Sequence, residues 1–183
     1  MNTAPHDNDS YAEFPVRGEL RIVRLLPGPI ERVWEFLTDP EKRSRWFAGG
    51  VTEPRAGGKI EFVMHHSKLS PGETPPEKYA QVHEPGVTFE GRVLRYEPPR
   101  VLSYTFGDEE SQVTFELTPQ GDQVLLVVTH RSTGDDIKEQ FNYAGGWHTH
   151  LSILVALLEN TTPPKFWATH ARLESYYRTA APR

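Results

Sequence analysis

Four runs of β-forming residues follow one another between residues 87 and 130, and they constrain the fold more than any other feature. The runs cover Val87–Tyr96, Val101–Phe106, Val113–Leu117 and Val124–His130. The residues between them are rich in glycine, proline and aspartate, which favour turns. Connections this short join antiparallel neighbours, because a parallel pair needs a crossover of a dozen or more residues. The sequence therefore predicts an antiparallel sheet.

Strand and helix signals precede these four runs. Glu19–Leu26 alternates like a strand, and the apolar residues from Ile30 recur at i, i+3, i+4 and i+7, as in an amphipathic helix. Asp39 followed by Pro40 predicts the N-cap and first turn of a second, short helix. Lys59–His66 alternates again, which predicts another strand.

Two parts of the chain lack periodicity. Residues 1–17 are polar and have no apolar core, which predicts a disordered N-terminal tail ahead of a single domain at residues 18–183. Residues 67–86 are rich in proline and predict a long loop, with a short strand near Tyr79–Val82.

The longest apolar helical pattern runs from about Ile137 to Asn160, and a final helix follows it. The pair Gly145-Gly146 falls inside this pattern, where each glycine costs about 1 kcal/mol relative to alanine. Either the helix proper begins at Trp147, or its backbone passes close to another element. The second helix and the strand ends near it are the expected neighbours.

Strands and helices are segregated along the chain, which is typical of the α+β class. An antiparallel sheet has one face to bury, and the long helix is the only element large enough to cover it. A curved sheet wrapped around one helix rarely fills completely. We therefore expect an apolar cavity between the sheet and the long helix.

Charge and composition argue against several functions. The net charge is −5 and no stretch concentrates lysine or arginine, so a nucleic-acid partner is not expected. The chain has no cysteine, which excludes disulfides and thiolate metal sites. No apolar run approaches the roughly 20 residues that span a bilayer, and the N-terminus lacks the features of a signal peptide. We expect no membrane insertion and a cytoplasmic location.

Two closely spaced histidines suggest a metal site, but helical geometry opposes it. Residues two apart on a helix lie on nearly opposite sides, so His148 and His150 cannot hold one ion. A partly buried, hydrogen-bonded His148 is expected. His130 ends a strand and is expected to bond a backbone carbonyl, with a ligand's polar group as the alternative. Because no catalytic arrangement or phosphate-binding glycine loop follows from the spacing, no catalytic residue, metal or cofactor is predicted.

Aromatic and other large side chains are numerous enough to line a cavity with a few polar anchors. For any one of these side chains, packing in the core is as good an explanation as contact with a ligand. The predicted ligand contacts are Trp46, Phe62, Met64, Phe89, Tyr104, Phe106, Phe115, His130, Trp147, His148 and Leu151.

Several motifs share the order seen in a known superfamily. They are Val33-Trp34, Thr38-Asp39-Pro40-Glu41, Arg45-Trp46-Phe47, Phe89-Glu90-Gly91-Arg92-Val93-Leu94 and Gly146-Trp147-x3-Leu151. Together they resemble START-like (SRPBCC) domains, in particular the bacterial homologues of the activator of heat-shock-protein ATPase. The resemblance spans roughly residues 18–178. It implies a helix-grip fold with a cavity for a hydrophobic ligand, and it does not name the ligand.

Three functions stay open. The leading one is non-catalytic binding of a small hydrophobic or amphipathic molecule in an enclosed pocket on the order of a few hundred Å³. The second is a cyclase, dehydratase or hydrolase, which requires an inward acid–base pair such as His130 with Glu90 or Arg92, although their alternation with apolar neighbours favours a solvated outer face. The third is a co-chaperone-like stress-response module, whose partner is a chaperone or a second copy of the chain.

Overall fold

The computed structural model describes residues 7–134 and 136–179 of the chain. Its strands and long helices follow the predicted order. The elements are β1 (Glu19–Pro27), α1 (Ile30–Thr38), α2 (Pro40–Ser44), β2 (Lys59–Met64), α3 (His66–Leu69), a 3-10 turn (Glu77–Tyr79), α4 (Ala80–His83), β3 (Val87–Glu97), β4 (Val101–Phe106), β5 (Asp108–Gln120), β6 (Gln123–Arg131), α5 (Ile137–Leu158) and α6 (Phe166–Thr179).

The six strands form one antiparallel sheet with the order β1-β6-β5-β4-β3-β2. Strands β3 to β6 are joined in sequence by short turns, as predicted. Strand β1 pairs with β6 and forms the edge of the sheet opposite β2. This curved sheet with one long helix against it is the helix-grip fold. The α+β prediction is confirmed.

The core lies between the inner face of the sheet and helix α5. Leu20, Ile22 and Leu26 of β1 are almost completely buried, as are Leu151 and Leu154 of α5. Full burial of such a side chain contributes about 1.5–3 kcal/mol, so this layer stabilises the fold. Among residues 7–134 and 136–179, no helix combines the length and the apolar character that crossing a bilayer requires.

The strand predicted near Tyr79–Val82 is wrong, because this stretch is helical. The ring of Tyr79 stacks on Trp167 at 5.1 Å, and the ring of His83 lies 5.8 Å from the same indole. A strand would separate residues four apart by about 13 Å. One helical turn brings both onto a single tryptophan, so tertiary packing selects the helix.

The predicted disorder of residues 1–17 is wrong for residues 7–17, and residues 1–6 lie outside the described part of the chain. The Ala12 N–H donates to the Tyr177 hydroxyl at 2.7 Å, and the Tyr11 ring stacks on Tyr176 at 3.6 Å. Backbone bonds of 2.8 Å in both directions join Glu13 to Arg21 at the edge of β1. A few aromatic anchors thus order a polar segment.

Helix α5 continues through both glycines, so the alternative of a helix beginning at Trp147 is wrong. A Cβ on Gly145 would lie 3.7 Å from the backbone of Glu174 in α6, whereas a Cβ on Gly146 would meet nothing within 4 Å. The backbone therefore does pass close to another element. That element is α6, and not the expected α2 or the strand ends near it.

Candidate functional site

A cavity of about 170 Å³ lies where the sheet, α5, α6 and the segment between β2 and β3 meet, and one side is open. It is smaller than the few hundred Å³ that the sequence led us to expect. Its lining is mostly aromatic. The lining residues are Phe47, Met64, His66, Tyr79, Phe106, Asn142, Tyr143, Gly146, Trp147, His150, Phe166, Trp167 and His170.

Trp147 forms the α5 wall of the cavity and packs against rings from two other elements. Its ring lies 4.9 Å from Phe47 and 5.7 Å from Phe106, and these two rings lie 5.8 Å apart. Aromatic rings at such separations add about 0.5–1.5 kcal/mol per pair beyond burial. The wall is therefore stiff and apolar.

His130 fixes the orientation of Trp147 from behind. The indole Nε1–H of Trp147 donates to His130 Nδ1 at 3.0 Å, which leaves His130 Nε2 to donate to Ser111 Oγ at 2.7 Å. Burial lowers the pKa of His130 to about 4, so the ring is neutral at pH 7. The expected bond to a backbone carbonyl is wrong, because both ring nitrogens bond side chains.

His150 presents a hydrogen-bond acceptor on a ring that lines the cavity. Its Nδ1 lies 2.8 Å from the Trp46 carbonyl oxygen and must donate, since a carbonyl only accepts. Burial and the nearby His66 lower the pKa of His150 to about 3. The ring is therefore neutral at pH 7, and its Nε2 carries a lone pair.

His66 and His170 contribute polar atoms without partners. The Nδ1 atoms of both rings are buried and have no hydrogen-bond partner among the described residues. Both rings flank Phe166, at centroid distances of 5.1 and 6.1 Å. Burial, followed by the repulsion of His170 and His83, lowers the pKa of His66 to about 4, and burial lowers that of His170 as well. Buried polar atoms are nearly always paired in native proteins, so these two indicate a missing partner.

The wall on the α6 side is held by the segment between β2 and β3. Glu73 accepts the backbone N–H groups of Trp167 and Ala168 at 3.3 and 3.1 Å, at the start of α6. The Trp167 indole N–H donates to His83 Nδ1 at 3.3 Å. These bonds position Trp167 over the cavity.

The structure places three of the predicted ligand contacts at the cavity, namely Met64, Phe106 and Trp147. The others lie elsewhere, most of them packed in the core. These are Trp46, Phe62, Phe89, Tyr104, Phe115, His130, His148 and Leu151. Whether any of them contacts a ligand stays a prediction.

His148 lies on the other side of α5, as helical geometry predicted. Its Nδ1 accepts from the Tyr177 hydroxyl at 2.9 Å, and that hydroxyl in turn accepts the Ala12 N–H. Burial, together with the charge of Arg24, lowers the pKa of His148 to about 3. Arg24 is completely buried in the middle of β1, which its charge gave no reason to expect.

The acid–base pair required by the enzyme hypothesis is not formed. Glu90 and Arg92 face solvent, with side chains 57% and 54% exposed, and they pair with Lys59 and Glu109. His130 is 2% exposed on the opposite face of the sheet. Within the described ranges, no group of three histidine or carboxylate side chains is arranged to hold a metal ion.

Arg43 of α2 supports the cavity from outside and was missed in the sequence. It is 1% exposed, and it donates to the carbonyl oxygens of Ala48, Gly49 and Glu61 at 2.7, 2.9 and 2.8 Å. These bonds tie the turn after α2 to β2. They hold Phe47 in the cavity wall.

The fold and the aromatic cavity define a helix-grip domain of the SRPBCC type. The family described as activator of Hsp90 ATPase homolog 1-like protein matches residues 27–159. The chain therefore belongs to the activator of Hsp90 ATPase homolog 1-like family. The resemblance noted in the sequence is confirmed.

Solved structures of similar proteins agree with this assignment. The protein encoded by the gene BPP1335 of Bordetella parapertussis, known from solution NMR, is 38% identical, with 100% of this chain and 97% of that chain covered and a TM-score of 0.80. CalU16 from Micromonospora echinospora shares the fold with 22% identity and a TM-score of 0.62, with 87% of this chain and 86% of that chain covered. MLL2253 from Mesorhizobium loti shares it with 23% identity and a TM-score of 0.59, with 79% of this chain and 98% of that chain covered. No curated protein matches the chain.

Proposed function

We propose that this protein binds a small, neutral molecule with an apolar ring and one hydrogen-bonding group, without catalysis. The observation that carries the proposal is an aromatic cavity with two unpartnered imidazole nitrogens, on His66 and His170. The predicted cytoplasmic location, the single domain at residues 18–183, and a chaperone or second copy of the chain as partner stay predictions.

The cavity volume sets the size of the ligand. At about 170 Å³ it is close to an engineered apolar cavity of about 150 Å³ that holds benzene. A ring that buries about 200 Å² gains about 5 kcal/mol of transfer free energy. Association and ordering offset much of that gain, so we expect a Kd in the micromolar to millimolar range for a single-ring compound.

The histidines determine which polar group fits. With pKa values near 4 for His66 and lowered for His170, both rings are neutral at pH 7 and offer no positive charge to a carboxylate. The acceptor at His150 Nε2 favours a donor on the ligand. A hydroxyl or an N–H on the ring can donate to one of these nitrogens, and a purely apolar ring cannot.

The same groups argue against catalysis. No aspartate or glutamate lines this cavity in the described part of the chain. A general base works best with a pKa near the operating pH. Imidazoles with pKa values of about 3 and 4, at His150 and His66, are weak bases at pH 7.

Titration with phenol, observed through the indole N–H signals in ¹H–¹⁵N NMR, tests the proposal. The chain has four tryptophans, of which Trp147 and Trp167 line the cavity, while Trp34 and Trp46 lie in the core and are not among its lining residues. Phenol shifts the first two signals and leaves the other two in place. Toluene, which lacks the hydroxyl, binds about fivefold more weakly, because one hydrogen bond is worth about 1 kcal/mol.

A matched pair of glycine variants provides the control. Gly146 lines the cavity and faces open space, so Gly146→Leu fills the cavity and removes the phenol response. Gly145→Ala gains a similar helical propensity but leaves the cavity open, so this variant retains the phenol response. Shifts of all four indole signals, or an unchanged response in Gly146→Leu, would reject the proposal.

A further inference from the structure

A second and larger concavity lies outside the cavity. This groove, with a volume of about 1340 Å³, runs between residues 12–17, the start of α5 and the end of α6. Phe14 and Phe141 meet in it at 5.2 Å, edge to face, and Tyr176 adds a third ring. Val16 and Ile137 are 61% and 40% exposed at its margin. The groove is apolar, elongated and open to a partner.

Gln140 lines the groove and has no partner for its side-chain amide. The residue is 2% exposed, and neither Oε1 nor Nε2 forms a hydrogen bond with any other described residue. A buried amide that bonds nothing is rare in native proteins, since burial removes its water without replacement. The groove therefore lacks a donor and an acceptor beside Gln140.

The charge around the groove is positive. Its two carboxylates are already paired, Glu13 with Arg21 and Glu174 with Lys78. Lys138 and Arg178 also line it, and neither forms an ion pair with another described residue. Because the whole chain carries a net charge of −5, this local excess of cations is not a consequence of composition.

We propose that the groove binds an extended segment of a partner protein that alternates apolar and acidic side chains. An extended strand presents the N–H and the C=O of one residue on the same side, and so satisfies both atoms of the Gln140 amide. A carboxylate satisfies Nε2 alone, and an alkyl chain satisfies neither atom. The rings of Phe14, Phe141 and Tyr176 accept the apolar side chains, while Lys138 and Arg178 pair with the carboxylates.

This site is distinct from the ring-binding cavity, although Asn142 borders both. The groove is wider than one aromatic ring requires, and its free polar group is an amide where the cavity offers imidazoles. Binding in the groove does not depend on a ligand in the cavity. Each proposal can therefore fail alone.

The test is an NMR titration of the full chain with a synthetic peptide of alternating aspartate and leucine. The side-chain NH₂ signals of Gln140, assigned from their loss in Gln140→Leu, shift on binding. A peptide of alternating lysine and leucine leaves them in place. Lys138→Glu weakens binding by at least about fivefold, because it reverses a charge at the site. The matched control Lys165→Glu, an exposed lysine outside the groove, retains wild-type affinity.

Gln140→Leu provides the second variant. Leucine removes the unpaired amide with similar volume, so the protein stays folded in urea titration while binding weakens by at least about threefold. If that variant fails to fold, the difference in peptide affinity between Lys138→Glu and Lys165→Glu tests the proposal.

Four outcomes would overturn the proposal. They are no shift of the Gln140 signals, equal binding of the lysine–leucine peptide, an equal loss of affinity in Lys165→Glu, and displacement of the peptide by sodium dodecanoate with the same Gln140 shift. The last would assign the groove to an anionic amphipath.

Discussion

The two halves of helix α5 differ in how completely they are packed. In the C-terminal half, Leu151, Leu154 and Leu158 are at most 1% exposed, and Arg32 of α1 donates to the Leu158 carbonyl at 3.0 Å. In the N-terminal half, Gly146 and Trp147 face a cavity. One helix thus has two roles: its C-terminal half stabilises the fold, and its N-terminal half forms a wall of the cavity. The stability of the packed half offsets the cost of the unpaired polar atoms around the cavity.

The largest effect should come from the packed half. Leu154→Ala removes a fully buried side chain and should lower the free energy of unfolding by about 3 kcal/mol. Met64→Ala at the cavity edge is only partly buried and should lose about 1 kcal/mol. Urea denaturation measures both values. Equal losses would contradict the contrast between the halves.

Substitutions at the two neighbouring glycines compare the packed side and the open side of α5 within one helical turn. A leucine at position 145 meets the α6 backbone, since even a Cβ there lies 3.7 Å from Glu174, and overpacking should lower the free energy of unfolding by about 2 kcal/mol. Gly146→Leu enters open space and should not destabilise. Thermal unfolding of both variants provides the measurement. A destabilised Gly146→Leu would mean that no usable space exists there.

Acid should weaken the cavity, through His66, and the opposite side of α5, through His148, over different pH ranges. The pKa of His148 falls from 6.5 to about 3 and that of His66 from 6.5 to about 4, so the unfolded chain binds more protons below pH 6.5. Their stabilising effect is therefore complete above pH 6.5 and is lost as the pH falls. Each fully titrating histidine lowers the free energy of unfolding by about 1.4 kcal/mol per pH unit.

Single substitutions separate the two histidines. His66→Gln should reduce the pH slope only between pH 6.5 and 4, and His148→Gln should do so down to about pH 3. Urea titrations at half-unit pH intervals compare them with the parent protein. A slope that neither substitution changes would place the acid sensitivity elsewhere.

The smallest effect concerns the hydroxyl that fastens residues 7–17 to α6. Tyr177→Phe removes the bonds to the Ala12 N–H and to His148 and should lower the free energy of unfolding by about 1 kcal/mol. Amide hydrogen exchange should accelerate at Ala12 and stay unchanged at Trp147. Faster exchange at Trp147 would show that the packed side and the cavity are not independent.

The sheet was predictable because its signals are local. Short turns between the four runs at residues 87–130 specify antiparallel pairing, and two-residue alternation separates the outward Glu90 from the inward Val93. Asp39 caps α2 as its sequence indicated, accepting from the Lys42 N–H at 2.9 Å. Such features depend on a few neighbouring residues, and the chain shows them directly.

Most of the cavity was not predictable, because distant segments build it. His66 and Tyr79 come from a proline-rich stretch without periodicity, and both rings pack on Trp167, which is distant in sequence. Phe166 and His170 are four residues apart and so lie on one face of α6, a spacing that indicates a buried helix face but not a cavity. From the sequence alone, a charged residue such as Arg24 is expected to be exposed to solvent. Its burial follows only once the position of the segment that covers it is known.

An intermolecular contact between Met64 and a bound ring would place the ligand inside the cavity. Met64 is one of two methionines, so selective ¹³C-methyl labelling gives a readily assigned signal at the cavity wall. In the presence of phenol, we predict intermolecular NOEs between the ring protons and the Met64 methyl, and their loss in Gly146→Leu. Saturating phenol without these NOEs, or NOEs that persist in Gly146→Leu, would contradict a ring-binding cavity between the sheet and α5.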